Sequence, residues 1–181
     1  PPSGCLVRGA EVKCIMTEHA TEFITPLTMR EISGNPVAVS MFSDIPEFNV
    51  EHIALAQWAD VFVIAPATAN VIGKIAGGIA DDMLTTTVMA TTAPVVIAPA
   101  MNSNMYMNPI VQKNIAALKE YGYEIIEPAT GHLACGVTGV GRLPEPEDIV
   151  DYVEFTACRT SLLKGKTCSS GLCYCFRREP G

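Results

Sequence analysis

The sequence predicts an α/β fold, a parallel sheet covered by helices on both faces. Two observations carry this expectation. The runs Val61-Phe62-Val63-Ile64-Ala65 and Val95-Val96-Ile97-Ala98 are short, apolar at every position and rich in β-branched residues, as strands buried on both faces are. Segments of helical period separate them from one another and from further strand-like runs. Such alternation is how parallel strands joined by helical crossovers look in sequence. A chain of 181 residues can bury one sizeable core, so a single domain is expected.

Taken in order, residues 11–16 alternate and read as a strand. Residues 17–24 read as a turn into a short helix, with Thr17 as its cap. Residues 26–33 form another short helix, closed by Gly34, and 36–40 an edge strand. Residues 50–60 carry Ile53, Ala56 and Trp58 at helical spacing. The strand from Val61 stops at Pro66, which has no N–H to donate to a ladder. Residues 69–79 and 82–91 read as helices separated by Gly77-Gly78, and the strand from Val95 is stopped by Pro99. Residues 109–121 form an amphipathic helix with Pro109 in its first turn and Gly122 past its end. Residues 123–127 read as a strand, 128–143 as a glycine-containing loop, and 144–155 as a helix with acidic residues in its first turn. From Cys158 onward the chain is basic, Cys-rich and without usable periodicity.

Composition narrows the function. Hydrophobic residues make up 49% and charged residues 17%, which excludes a disordered chain and points to surface covered by another subunit or partner. A net charge of −7 argues against a broad nucleic-acid surface. No apolar run approaches the roughly 20 residues of a membrane span, and residues 1–8 lack the apolar core of a signal peptide. A soluble, cytoplasmic protein is expected. Of seven cysteines, four crowd into the tail, so free thiols in a reducing compartment are expected rather than a disulfide framework. The spacing Cys168-x4-Cys173-x-Cys175 lacks the paired CxxC pattern of a zinc site. Gly136-x-x-Gly139-x-Gly141 is not the dinucleotide order, and Gly165-Lys166-Thr167 lacks the earlier glycine of a phosphate loop. No nucleophile elbow and no HExxH are present.

The two apolar strands end alike, in Pro66-Ala67-Thr68-Ala69-Asn70 and Pro99-Ala100-Met101-Asn102. Ligands of open α/β sheets bind outside the carboxyl ends of strands, and small residues there let a flat ring approach the backbone. Thr68 and Asn70 can hydrogen-bond such a ring's edge, or simply serve turns and caps. Asn102 offers both a donor and an acceptor at the sheet's mouth. His52 is a packed or surface histidine or a catalytic base; Cys135, in a loop, reads as a buried inert thiol; Asp81-Asp82 opens a helix as a cap; Met101, Met105 and Met107 are core filler or a ligand surface.

Four blocks in order combine into something specific. They are His52 with Trp58-Ala59-Asp60; residues 65–70 continuing through Gly77-Gly78-Ile79-Ala80-Asp81-Asp82-Met83-Leu84-Thr85; Pro99-Ala100-Met101-Asn102 with Met105-Tyr106; and Leu133-Ala134-Cys135-Gly136 with Gly141-Arg142-Leu143. Over about residues 9–155 the chain resembles the homo-oligomeric flavin-containing cysteine decarboxylases. The resemblance implies a flavodoxin/Rossmann-like parallel sheet lacking its first strand and phosphate loop, since only residues 1–8 precede the second strand. It implies residues 1–157 as the flavoprotein domain and 158–181 as a Cys-rich tail foreign to the family. It implies FMN as cofactor, lined by Thr68, Ala69, Asn70 and Ala100, with Thr17 near the phosphate. His52 matches the family's active-site histidine and Asn102 the residue that grips the substrate carboxylate. His132, Leu133 and Ala134 fall in the loop over the substrate, and Cys135 matches the late proton donor. Tyr106 stands where the family usually has tryptophan, and Val137 where many members have aspartate. The implied reaction decarboxylates 4′-phosphopantothenoyl-cysteine in coenzyme A synthesis. The alternatives are a peptide's C-terminal cysteine as substrate, or a non-catalytic flavin-binding subunit. A homo-oligomer, trimeric or dodecameric, is implied as well.

Overall fold

The computed structural model of the chain describes residues 9–41, 51–132, 138–164 and 174–178. β1 (Ala10–Ile15) leads through Thr17 into α1 (Glu18–Thr21), where Thr17 Oγ1 accepts from the Ala20 N–H at 3.2 Å. α2 (Pro26–Ser33) starts on a proline, whose missing N–H is unneeded at that position. It ends at Gly34, whose φ of 70° suits a residue without Cβ. β2 (Val37–Ala38), α3 (Glu51–Trp58) and β3 (Val61–Ala67) follow, then α4 (Ala69–Ala76), α5 (Met83–Ala90) and β4 (Val95–Pro99). α6 (Ser103–Tyr106), α7 (Pro109–Glu120), β5 (Glu124–Ile125), β6 (Ala129–His132), β7 (Thr138–Arg142), α8 (Pro146–Lys164) and β8 (Tyr174–Arg178) complete the order.

The main sheet runs β2-β1-β8-β3-β4-β5, and β6 pairs with β7 in a separate antiparallel hairpin. β1 to β5 are parallel, and β8 alone is antiparallel, to both its neighbours. The period of two along each strand sorts the apolar side chains to opposite faces. On one face Phe62, Ile64, Val95 and Ile97 pack with Ile72, Ile75, Leu84, Val88 and Leu118 from α4, α5 and α7. On the other, Val61, Val63, Val96 and Ala98 meet Ile149, Val153 and Ala157 of α8. Val12 and Cys14 of β1 meet Met29 of α2 and Val150 of α8. Strands buried on both faces explain why these runs show no polar alternation.

Four local expectations change. β3 and β4 do not stop before their prolines: Ala67 still pairs with Pro99, across a register shift between Ile64 and Ala67. A bulge lets the ladder step past Pro66, and the carbonyls beside a proline can still accept. Residues 128–143, expected as a loop, hold the β6–β7 hairpin. Its sequence is Gly- and Thr-rich because pairing, rather than a buried apolar face, sustains it. α8 runs beyond residue 155, since the buried stripe Val150, Val153, Ala157 continues at helical spacing. Finally, the tail returns to the fold. β8 occupies the slot between β1 and β3, where the resemblance places a parallel first strand, and fills it in the opposite direction.

Candidate active site at the carboxyl edge of the sheet

Two neighbouring parallel strands deliver their ends to one edge. Past the register shift, Ala100 N–H donates to the Ala67 carbonyl at 3.0 Å, so the two Pro-Ala segments lie side by side. The peptide bond between Ala65 and Pro66 is cis. Directly after Ala67, Thr68 caps α4 by accepting from the Val71 N–H at 3.4 Å. Thr68 and Asn70 are exposed, and Ala69 and Ala100 half-buried. Directly after Ala100 comes exposed Asn102, which caps α6. Its Oδ1 accepts from the Asn104 N–H at 2.8 Å. An oxygen committed to a backbone N–H leaves the amide nitrogen as the group that donates.

Thr17 sits at the carboxyl end of β1, on this same edge of the parallel sheet. It lines a cavity of about 340 Å3 together with Ser40, Met41, Lys74, Asp82 and Met83. Lys74 Nζ donates to Asp81 Oδ1 at 2.6 Å and Asp82 Oδ2 at 2.9 Å, and these bonds hold its pKa above the usual lysine value. Asp82 is the cap of α5 in a capping box: Thr85 N–H reaches Asp82 Oδ1 at 2.8 Å, and Asp82 N–H reaches Thr85 Oγ1 at 3.3 Å. Burial pushes the Asp82 pKa up, but the Thr85 N–H and Lys74 outweigh it and hold the carboxyl below its usual value. The capping role expected of Asp81-Asp82 thus falls to Asp82.

His52 lies half-buried in the first turn of α3. α3 precedes β3 and packs on α5 and β8. His132 ends β6, its backbone paired with Thr138. Leu133, Ala134 and Cys135 lie outside the described residues. The tail cysteines Cys168 and Cys173 do too, and among the described residues no cluster of His, Cys, Asp or Glu could hold a metal ion.

Tyr106, at the end of α6, is buried and donates through its Oη to Glu127 Oε2 at 3.0 Å. Gln112 Nε2 donates to the Tyr106 carbonyl at 2.6 Å, and Lys119 Nζ to Glu127 Oε1 at 2.8 Å. Lys119 draws the Glu127 pKa down; burial, then the Glu127 carboxylate, raises that of Tyr106. Tyrosine thus fills the usual tryptophan position with a polar anchor that indole nitrogen could also supply, as a donor.

Sequence reasoning did not single out Lys74 or Ser103. Ser103 Oγ donates to the Val140 carbonyl at 2.7 Å, and Met101 N–H to the Gly141 carbonyl at 2.9 Å. The signal was present in the Gly139-x-Gly141 spacing, read only against nucleotide motifs.

A doubly covered, mostly parallel sheet with paired, small-residue loops at its carboxyl edge defines a flavodoxin-like fold. The Flavoprotein family profile matches residues 5–157, and the chain belongs to that family. It is 53% identical over 160 residues to the coenzyme A biosynthesis bifunctional protein CoaBC of Bacillus subtilis (strain 168), covering 87% of this chain and 39% of that protein. The chain therefore spans about two-fifths of the length of that relative. A cysteine/cysteine sulfinic acid decarboxylase from an unknown prokaryotic organism is 50% identical over 130 residues, or 72% of this chain and 36% of that protein. Among solved structures, a mutant PPC decarboxylase complexed with pantothenoylaminoethenethiol superposes with a TM-score of 0.72 at 36% identity, covering 83% of this chain and 85% of that one. The FMN-dependent cysteine decarboxylase SpaF gives 0.64 at 39% identity, covering 76% and 74%. Among the described residues no helix is long and apolar enough to cross a membrane.

Proposed function

We propose that this chain is an FMN-dependent decarboxylase of 4′-phosphopantothenoyl-cysteine, yielding 4′-phosphopantetheine in coenzyme A synthesis. The observation that carries the reading is the Ala100 to Ala67 hydrogen bond, which sets the Thr68–Asn70 and Asn102 segments beside one another. The residues present fit a flavin. Half-buried Ala69 and Ala100 are small enough to let a flat ring approach the backbone, and exposed Thr68 and Asn70 can bond its edge. Thr17, whose hydroxyl accepts from Ala20, keeps a proton to donate to a phosphate.

A cysteine carboxylate has no neighbouring carbonyl to take up electrons as CO2 leaves. FMN, when bound, supplies a reversible hydride acceptor that turns the carbon bearing sulfur into an electron sink. The chain's residues position and move protons. Asn102 holds the carboxylate through a neutral donor, without a fixed cation that would oppose its loss. His52, through its imidazole, takes up a proton or faces the substrate as a charge partner. Cys135 delivers the late proton to the ene-thiolate left by decarboxylation, with His132, Leu133 and Ala134 covering the substrate. The chain works in the cytoplasm as a homo-oligomer, trimeric or dodecameric; exposed Met105, Met107 and Ile110 next to Asn102 are the surface such a neighbour would cover.

A second substrate reading starts from the relatives named cysteine decarboxylases: another cysteine carboxylate, such as the C-terminal cysteine of a peptide, suits the same edge. Purified protein, CO2 release and native mass test the set. A yellow protein with about one flavin per chain, releasing CO2 from the phosphopantothenoyl substrate in preference to a cysteine-ended peptide, is expected. His52→Asn should abolish release. A colourless protein refutes the catalytic reading in favour of a regulatory subunit, and normal turnover by His52→Asn refutes that residue's role.

A further inference from the structure

We propose that β7 is the ruler that positions Asn102, with Ser103 as its positioning residue. The inference rests on the reading of Asn102 as the carboxylate-holding group. Asn102 is bracketed: Met101 N–H donates to the Gly141 carbonyl at 2.9 Å, and Ser103 Oγ donates to the Val140 carbonyl at 2.7 Å. Both flanks of the substrate-holding residue are therefore tied to consecutive carbonyls of one strand. Asn102 itself is turned by its own Oδ1, bonded to Asn104 N–H. These bonds fix backbone on one side and a side chain on the other, so the amide cannot shift without breaking one of them.

The two glycines of β7 exist for this approach. A Cβ at Gly139 would overlap Ser103 Oγ and lie 3.2 Å from Ser103 Cβ. A Cβ at Gly141 would overlap the Met101 carbonyl oxygen, and its φ of +127° belongs to glycine in any case. The Gly139-x-Gly141 spacing, which does not fit the dinucleotide order, is thus explained by contact between two pieces of chain. Ser103 touches neither substrate nor cofactor in this account; it acts through Asn102.

The clash geometry supplies a test that a general loss of stability would not imitate. Gly139→Ala collides with the Ser103 hydroxyl, whereas in Ser103→Ala the colliding oxygen is gone. In the flavin-loaded full chain, Ser103→Ala should raise KM for 4′-phosphopantothenoyl-cysteine about fivefold, the size of one lost hydrogen bond, with kcat within about twofold. Ser103→Thr, which keeps the hydroxyl, should restore it. Gly139→Ala should raise KM further, and Ser103→Ala/Gly139→Ala should recover to near the Ser103→Ala value. Hydrogen exchange of the Met101 amide reads the same seam without turnover. It should quicken in Gly139→Ala and slow again in the double variant. Effects of the two substitutions that simply multiply, or an unchanged Met101 amide in Gly139→Ala, overturn the proposal. If the wild-type chain does not turn over this substrate, the functional reading fails, while the exchange pattern still decides the seam.

Discussion

Replacing Asp82 separates two interactions that meet on one carboxylate. Asp82 Oδ1 accepts from the Thr85 N–H at 2.8 Å at the start of α5, and Oδ2 takes Lys74 Nζ at 2.9 Å. Thr85 is fully buried, so its N–H has no water to fall back on. Asparagine caps a helix about as well as aspartate but carries no charge; alanine does neither. An N-cap contributes about 1 kcal/mol. The ion pair, with the Asp82 side chain 28% exposed and Lys74 still held by Asp81, contributes about 0.5 kcal/mol. Asp82→Asn should therefore cost about 0.5 kcal/mol and Asp82→Ala about 1.5 kcal/mol. In a domain of this size that is a fall in Tm of about 1–2 °C and about 3–6 °C, read by calorimetry near pH 7. The pH dependence has a definite sign. The folded pKa of Asp82 is depressed, so its stabilisation is present above the unfolded value of about 3.9 and is lost as pH falls through the folded one. Wild type and Asp82→Asn should begin to converge in stability as pH falls below about 4 and should meet only below the folded pKa. An asparagine variant as damaged as the alanine variant would refute the capping argument.

Other expectations bear on the site and the sheet. Asn102→Asp keeps the α6 cap but sets a carboxylate against the substrate's own, so KM should rise about tenfold or more with Tm unchanged; an unaltered KM removes Asn102 from substrate binding. Burial pushes the Cys14 thiol up to about 12, against a smaller opposing effect of Ser33, so iodoacetamide at pH 8 should leave it intact while exposed Cys158 is alkylated. Peptide mass spectrometry of the folded protein checks this, and equal labelling would contradict it. Phe176 pairs in register with both Val12 and Val61, so Phe176→Pro removes a ladder donor in mid-sheet and should cost about 2 kcal/mol. An unshifted Tm would mean that β8 does not hold that slot.

The parts of the fold legible in sequence were those set by short-range patterns. Val61-Phe62-Val63-Ile64 and Val95-Val96-Ile97-Ala98 declared themselves because both faces of each strand are covered, and Pro26, Gly34, Asp82 and Pro109 marked helix ends by their own backbone chemistry. β6 and β7 did not, since Thr130, Gly131 and Gly139 bury no apolar stripe that a period of two could reveal. β8 was hidden for a different reason. A run as short as Tyr174-Cys175-Phe176-Arg177-Arg178 becomes a strand only because β1 and β3 present unpaired edges on either side of it. That vacancy is a long-range property that no local window contains.

The site divides in the same way. Thr17, Thr68, Asn102 and Asn108 each cap a helix, so residue type and spacing alone located these helix starts, and the same roles masked what else those side chains can do. A cap and a ligand-binding group call for the same small polar residue at the same place, the loop after a strand. What distinguishes them is which other segments share the edge. Here the distinguishing contacts are backbone to backbone, Ala100 with Ala67 and Met101 with Gly141. Such bonds carry no side-chain signature except where room is needed, and at Gly139 and Gly141 that room is written as the absence of a Cβ.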